Sequence, residues 1–371
     1  MIQILGTLRF DLAIKRAKTL EDAESTFFIS ASFVCITSVI IIPLFIVLGV
    51  WHYEYLILHL GNYFFLCPLI IFFLGFWQLT SAFFTREGFF KEKGFTEVSQ
   101  SISAVIINLL GGLLGWGNLV LGSALSRFLS TLYSFKKLKL NLFTKSFSRN
   151  FNGEGIKNII RKNRDLMIYS IPSSFLYKLN SNLPIFYFAN QLDSVLVGFF
   201  VLTNRIVLSP VNLLGTSIGD VFQNRIRSRI GSYRETLKTI LKVWLGAFAF
   251  IIPVSLILYL YGSSIFSFLF GQNWEQSGYI ASALAVSLIF KFTSAITNGT
   301  FTMLNLEKVG FYCSTIELPS KLLIFYYFDR TGQAINSFWG IAIYDSIQII
   351  LVNIYLLFFL TVKKSNAFED S

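Results

Sequence analysis

The sequence predicts an all-α, polytopic membrane protein with about ten transmembrane helices. Of its 371 residues, 54% are hydrophobic and only 14% are charged, which is too little charge to cover a water-soluble domain. The apolar residues lie in runs long enough to cross a hydrocarbon layer of about 30 Å. The Lys and Arg residues concentrate in alternate connections between those runs, which is the pattern of a multi-pass membrane protein.

Ten segments are long enough and apolar enough to span a membrane. They cover residues 25–50, 56–84, 97–114, 117–136, 166–190, 195–221, 241–262, 279–302, 309–328 and 337–362. One helix through the third and fourth segments would be longer than the bilayer is thick. We therefore place a turn in the glycine-rich sequence 111–117, where the backbone can reverse without steric cost.

The distribution of basic residues predicts the orientation of the chain. The N-terminal segment, the connections 85–96, 137–165 and 222–240, and the C-terminus carry most of the Lys and Arg residues. The connections on the opposite side offer only Arg330. The basic side is expected in the cytoplasm, and an even number of helices returns the C-terminus to it. The formal net charge of +11 therefore indicates topology rather than nucleic-acid binding.

Two parts of the chain resemble each other at an offset of about 217 residues. The sequence Glu-Lys-Gly-Phe at 92–95 enters the third segment, and Glu-Lys-Val-Gly-Phe at 307–311 enters the ninth. Further matches pair Gly122 with Gly340 and Arg127 with Asp345. The first four segments thus correspond to the last four.

This correspondence leaves the fifth and sixth segments without partners. It predicts a six-plus-six architecture of parallel repeats from which the first two helices are absent. The N-terminal lobe is expected at 1–136, a basic cytoplasmic connection at 137–165, and a six-helix C-terminal lobe at 166–371. Because apolar sequences are degenerate, chance similarity is the alternative explanation.

Three segments carry a resemblance to a known family. They are Leu-Arg-Phe-Asp-Leu-Ala-Ile at 8–14, residues 183–222 with Gly198 and Arg205, and Phe-Leu-Phe-Gly at 268–271 followed by Trp274. In order and spacing, the chain resembles Wzx-type O-antigen flippases of the multidrug/oligosaccharidyl-lipid/polysaccharide (MOP) exporter superfamily over nearly its whole length.

The resemblance implies both a fold and an activity. The fold is a two-lobed, MATE-like bundle, here with an incomplete N-terminal lobe. The activity is movement of oligosaccharide linked to undecaprenyl pyrophosphate across the bacterial inner membrane by alternating access, for O-antigen or another surface polysaccharide. The implied partners are the lipid-linked oligosaccharide, the bilayer and other polysaccharide-assembly membrane proteins. Because the family's cavity lies between two complete lobes, an inactive truncated fragment is an alternative.

Several ionisable residues fall near the middle of predicted spans. Each costs roughly 2.5–3.5 kcal/mol there, so several together require partners or a water-filled cavity. The candidates for substrate binding are Lys178, Arg205, Lys291 and Arg127, and the candidates for ion coupling are Asp345 and Glu317. Three of the cations share helical stripes with polar residues: Lys178 with Ser170, Ser174 and Ser181; Arg205 with Ser209, Asn212 and Thr216; Lys291 with Ser287, Ser294 and Asn298.

Internal ion pairing is the competing explanation for these residues. Glu317 and Lys321 are four positions apart in the favourable order, so we expect them to neutralise each other and exclude Lys321 from the substrate site. Asp345 is expected either to pair with Arg127 or to serve as a proton or sodium site. Too few acids remain for Lys178, Arg205 and Lys291, which favours a cationic cavity that binds phosphate groups.

Two further features have simpler explanations. Pro172, Pro184 and Pro210 flank the polar stripes, where they would kink the helices and help one lobe move against the other, although packing kinks are the commoner role of such prolines. The basic connection 137–165 could recognise headgroups, but we favour anchoring to anionic lipid, with 155–164 as an interfacial helix.

Other function classes fit less well. A membrane glycosyltransferase or polymerase needs a sizeable outer loop with catalytic groups, and the outer connections here are short and the chain has no Asp-x-Asp pair. A cation or drug antiporter needs an acidic cavity, whereas basic residues dominate the middle of the spans. We expect no enzyme activity, no cofactor, no metal and no disulfide, since Cys35, Cys67 and Cys313 all lie in predicted spans.

Overall fold

The computed structural model describes residues 7–17, 19–51, 67–113, 119–137, 153–191, 193–227 and 233–369, and these residues are helical apart from short connections. The helices of the first half are α1 (Phe10–Arg16), α2 (Leu20–Trp51), α3 (Cys67–Glu87), α4 (Phe90–Leu113), α5 (Leu119–Lys137) and α6 (Gly153–Lys162). The helices of the second half are α7 (a π turn Leu166–Ser170 continued by Ile171–Asn190), α8 (Ser194–Arg227, with a π turn Asn204–Leu208), α9 (Tyr233–Phe270), α10 (Glu275–Met303), α11 (Glu307–Arg330) and α12 (Ser337–Glu369).

The long helices coincide with the predicted spans, and the all-α, polytopic fold class is confirmed. Within the described residues, six helices are long and apolar enough to cross a membrane, namely α2, α3, α8, α9, α10 and α12. Helices α4, α5, α7 and α11 are also long but fall outside that group, so the total of about ten spans stays a prediction. The first part of the predicted span 56–84 lies outside the described residues.

The chain groups into two compact units, Met1–Ile171 and Pro172–Ser371. The division falls inside α7, just after its π turn, rather than in the connection before the helix. The predicted lobe limits at 136 and 166, and the absence of two helices from the first lobe, stay predictions.

In the first unit, the short helix α1 packs against α2 and α3. Ile14 of α1 is fully buried in a cluster with Phe27 of α2 and Leu79 of α3. The guanidinium of Arg86, near the end of α3, donates from Nε to the carbonyl oxygen of Ala17 at 3.3 Å. That carbonyl lies just past the end of α1, where the backbone has no partner within the helix.

Helix α6 forms inside the basic connection, where an amphipathic helix is predicted. Its Ile159 and Ile160 pack against Phe10 of α1, while its basic side chains are exposed. Lys162 Nζ lies 2.8 Å from Asp22 Oδ2 at the start of α2. One apolar face and one ion pair therefore hold α6 against α1 and α2. Its position at the membrane interface stays a prediction.

Helix α10 is the centre of the second unit, and α8, α9 and α12 pack around it. Glycines allow these helices to approach α10 closely. Gly215 and Gly219 of α8 face Ala295, and a Cβ on Gly219 would lie 2.9 Å from the Ala295 carbonyl oxygen. Gly262 of α9 and Gly278 of α10 form a similar contact. Small residues at helix crossings are typical of packing within membranes, where van der Waals contact is the main attraction.

Aromatic rings tie the outer helices of the second unit together. Phe325 of α11 lies 5.1 Å from the Tyr187 ring and 5.2 Å from the Phe188 ring of α7. Phe338 of α12 lies 5.5 Å from the Phe200 ring of α8 and 6.2 Å from the Phe325 ring. These contacts fix α11 and α12 beside α7 and α8.

The two glycines that the predicted repeat matches, Gly122 and Gly340, both lie at close helix contacts. Gly122 of α5 lies directly beneath the Asn108 side chain of α4. Gly340 of α12 lies against α11, where a Cβ would be 2.8 Å from Ile324 Cγ2. In each unit, the matched glycine therefore lies where its helix approaches the preceding one closely, and the repeat itself stays a prediction.

Candidate functional site

Four charged side chains from three helices form one cluster in the second unit. Lys291 Nζ of α10 lies 2.6 Å from Asp345 Oδ2 of α12. Asp345 Oδ1 lies 2.9 Å from Lys321 Nζ of α11. Lys321 also donates to Glu317 Oε1, one turn earlier on α11, at 2.6 Å. The four residues thus form a continuous chain of alternating charge, which we call the charge cluster.

The charge cluster is compensated within itself. Two lysines and two carboxylates give a formal charge of zero. Asp345 and Lys321 are buried, with side chains 4% and 8% exposed. A charge in such surroundings needs a close partner of opposite sign, because its desolvation costs several kcal/mol. Each of the two buried groups has two partners.

The structure confirms one of the predicted pairings and corrects one expectation. Glu317 and Lys321 pair as their spacing predicts. The expectation that Lys291 lacks a carboxylate partner is wrong, because α12 places Asp345 against it. Asp345 contacts Lys291 and Lys321 of its own unit, and its expected alternative pairing with Arg127 of the other unit stays a prediction. Counting acids against cations in the sequence overlooks that one carboxylate can pair with two lysines.

Lys178 and Arg205 are not part of the charge cluster. Both side chains are exposed, and among the described residues neither forms an ion pair. The polar residues on the same helical stripe as Arg205 are exposed as well. They are Ser209, Asn212 and Thr216. These two cations therefore reach the surface of the second unit without a carboxylate to neutralise them.

Arg127 lies in the first unit, on α5. Its side chain is half-buried, and no carboxylate of the described part of the chain pairs with it. Its carbonyl oxygen accepts hydrogen bonds from the hydroxyls of Ser130 and Thr131, which keeps the polar groups of this turn satisfied. Of the six predicted site residues, the structure thus brings together Lys291, Glu317 and Asp345. Lys178 and Arg205 of the same unit lie outside the charge cluster, and Arg127 belongs to the first unit.

Arg205 lies in a local distortion of α8. The π turn Asn204–Leu208 ends two residues before Pro210, which has no N–H to donate to the helix. The N–H of Ser209 donates to the Asn204 carbonyl oxygen, and the Ser209 hydroxyl donates to the same oxygen at 2.9 Å. In α7, the π turn Leu166–Ser170 likewise ends two residues before Pro172. The prolines were predicted to kink these helices, and π turns often occur at functional sites.

The polar stripe of α10 runs from the interior to the surface. Ser287 is fully buried, Lys291 is partly exposed and Asn298 is exposed. Lys291 therefore lies at the boundary between the buried part of the cluster and an accessible face near the C-terminal end of α10.

Comparisons with known proteins agree with these observations. The sequence matches the family described as polysaccharide biosynthesis protein over residues 3–278. The fold is similar to a MATE in the bent conformation, with a TM-score of 0.71, 17% identity and coverage of 99% of this chain and 85% of that one. It is also similar to the Vibrio cholerae MATE transporter VcmN in the bent form, with a TM-score of 0.72, 13% identity and the same coverage, 99% and 85%. No curated protein matches the chain by sequence.

The described helices thus form a polytopic bundle with a MATE-like fold. By its sequence, the chain belongs to the polysaccharide biosynthesis protein family. The predicted family resemblance is thereby confirmed.

Proposed function

We propose that the protein is a flippase that moves lipid-linked oligosaccharide repeat units across the bacterial inner membrane by alternating access. The cargo would be an oligosaccharide on undecaprenyl pyrophosphate, destined for O-antigen or another surface polysaccharide. Membership in a polysaccharide biosynthesis family supports a glycan-related cargo. In this proposal both termini lie in the cytoplasm, as the basic connections predict.

The choice of an anionic cargo rests on two exposed cations. Lys178 and Arg205 are exposed cations on membrane helices, and no carboxylate of the described residues pairs with them. A cation left unpaired within a membrane span is costly unless water or an anion solvates it. The pyrophosphate of a lipid-linked sugar supplies such an anion, and ammonium and guanidinium groups bind phosphate oxygens with strong charge-assisted hydrogen bonds.

The same observation disfavours a cation or drug antiporter. A cationic substrate needs a free carboxylate, and Glu317 and Asp345 are both engaged by lysines. These two carboxylates remain our candidates for ion coupling, since a proton or sodium ion carries the same charge as a lysine ammonium and can take its place against a carboxylate. In our proposal, coupling therefore involves the charge cluster, and Lys178 and Arg205 contact the cargo.

Transfer in vesicles tests this proposal. The full chain is reconstituted with undecaprenyl-pyrophosphate oligosaccharide labelled on the sugar, and a membrane-impermeant glycosidase reports how much label reaches the outer leaflet. We expect transfer that depends on the protein and is absent from protein-free vesicles. Transport of a cationic drug by the same vesicles, without movement of the labelled lipid, would overturn the proposal in favour of an antiporter.

A further inference from the structure

Lys291 differs from the other members of the charge cluster in its partners and its exposure. Lys321 contacts two carboxylates and Asp345 contacts two lysines, whereas Lys291 has one carboxylate partner among the described residues. The Lys291 side chain is 27% exposed, which is the largest value in the cluster. It is the member that a ligand can reach.

The cluster can release Lys291 without stranding a buried charge. If the Lys291 ammonium moves away, Asp345 keeps its contact with Lys321 at 2.9 Å. Withdrawal of Lys321 would instead deprive Glu317 of its partner and leave Asp345 with only one. Because an unpaired buried charge is strongly destabilising, exchange at Lys291 is the cheapest rearrangement that the cluster offers. The freed ammonium would still be solvated, because the polar stripe of α10 continues from Lys291 to Asn298, which is exposed.

We propose that Lys291 is an exchangeable contact for a phosphoryl group and that Asp345 is its built-in competitor. In the empty protein, Lys291 pairs with Asp345. When an anionic cargo is present, the ammonium turns to the phosphate oxygens, and Lys321 alone holds Asp345. The Asp345 carboxylate thus lowers the affinity for the anion and promotes its release. This inference rests on the proposed function, since it assigns Lys291 to the cargo of that transporter.

The inference makes Asp345 a positioning residue whose removal tightens binding. In Asp345→Asn, the competing charge is gone, and we expect the dissociation constant for undecaprenyl pyrophosphate to fall about tenfold, the size of one charged hydrogen bond. Glu317→Gln is the matched control, because it removes a carboxylate from Lys321 and leaves the Lys291 contact in place. We expect no tightening in this control. Loss of structure alone would weaken binding rather than tighten it.

Binding to the full chain in nanodiscs measures these effects, with undecaprenyl pyrophosphate and inorganic pyrophosphate as separate probes. Lys291→Gln should weaken binding about tenfold, and Asp345→Asn should have no effect in that background. Tightening for the lipid alone assigns the contact to the lipid headgroup. Tighter binding of both probes assigns the Lys291 contact to the phosphoryl group from either source. Either of these two results supports the exchange of Lys291 between Asp345 and the anion.

Three outcomes would overturn the inference. Unchanged or weaker lipid binding by folded Asp345→Asn would remove Asp345 as a competitor while leaving the proposed function intact. If that variant does not fold, wild-type affinity in Lys291→Gln would exclude Lys291 from the contact. Failure of the wild-type protein to bind the lipid would overturn both the inference and the proposed function.

Discussion

Lys321 joins two carboxylates from two helices, and the charge cluster depends on this residue. Its pairing with Glu317 could be predicted, since residues four apart on one helix are neighbours. Its contact with Asp345 could not be predicted, because it depends on how α12 packs against α11. The same limit explains the error at Lys291. Sequence reasoning identifies ionisable residues inside the membrane well but finds their partners only within one helix.

Replacement of Lys321 should destabilise the protein strongly. Lys321→Met keeps the volume of the side chain but leaves Glu317 unpaired and Asp345 with a single lysine. Loss of one partner of a buried ion pair typically costs about 3–5 kcal/mol. We expect a lower midpoint of thermal unfolding for the purified protein.

Lys178→Met is the matched control for that substitution. It removes an exposed lysine with no ion-pair partner among the described residues, so its unfolding midpoint should stay near that of the wild type. Equal midpoints for the two variants would show that the charge cluster contributes nothing to stability.

At the scale of helices, hydropathy predicts where membrane segments lie but not how far the helices continue. The predicted span 241–262 lies inside the longer helix Tyr233–Phe270. Helices extend past the apolar run because the backbone hydrogen bonds continue through polar residues outside the hydrocarbon layer. The π turns of α7 and α8 were not predicted, although Pro172 and Pro210 mark the places where they occur.

The contact between α8 and α10 should be sensitive to side-chain size. In Gly219→Leu, the new Cβ would lie 2.9 Å from the Ala295 carbonyl oxygen and 3.0 Å from that of Ile296, and backbone atoms cannot move aside easily. Overpacking of this kind costs about 1–3 kcal/mol. We expect a lower unfolding midpoint and less protein in the membrane.

Gly198→Leu provides the comparison on the same helix. A Cβ at Gly198 would have no atom within 4 Å, so this variant should accumulate and unfold like the wild type. If both leucine variants behave alike, close approach at Gly219 does not determine the packing of α8.

At the scale of the whole molecule, composition and charge distribution predicted the class of protein, and the order of motifs predicted the family. The class follows from physical demands that act along the entire chain: the bilayer requires apolar helices, and membrane insertion retains basic loops in the cytoplasm. The arrangement of the charge cluster follows from contacts between distant segments, which no sequence pattern specified. A fold also does not define a function, so the proposed cargo rests on individual residues.

The predicted orientation can be checked by labelling single cysteines. In a variant whose three cysteines are replaced by serine, Arg330→Cys should react with a membrane-impermeant maleimide in intact cells. Lys238→Cys, on the basic side, should react only after the membrane is permeabilised. Labelling in the reverse order would invert the topology and place both termini outside.

The proposed function requires that Lys178 and Arg205 bind an anionic, lipid-linked cargo. The most direct measurement is O-antigen display in flippase-deficient cells that make the cognate glycan, with membrane levels of each variant matched to the wild type. We predict that Lys178→Gln combined with Arg205→Gln abolishes the display that the wild-type chain restores, whereas Lys178→Arg combined with Arg205→Lys retains it. Wild-type display by the double glutamine variant would exclude these two cations from cargo binding.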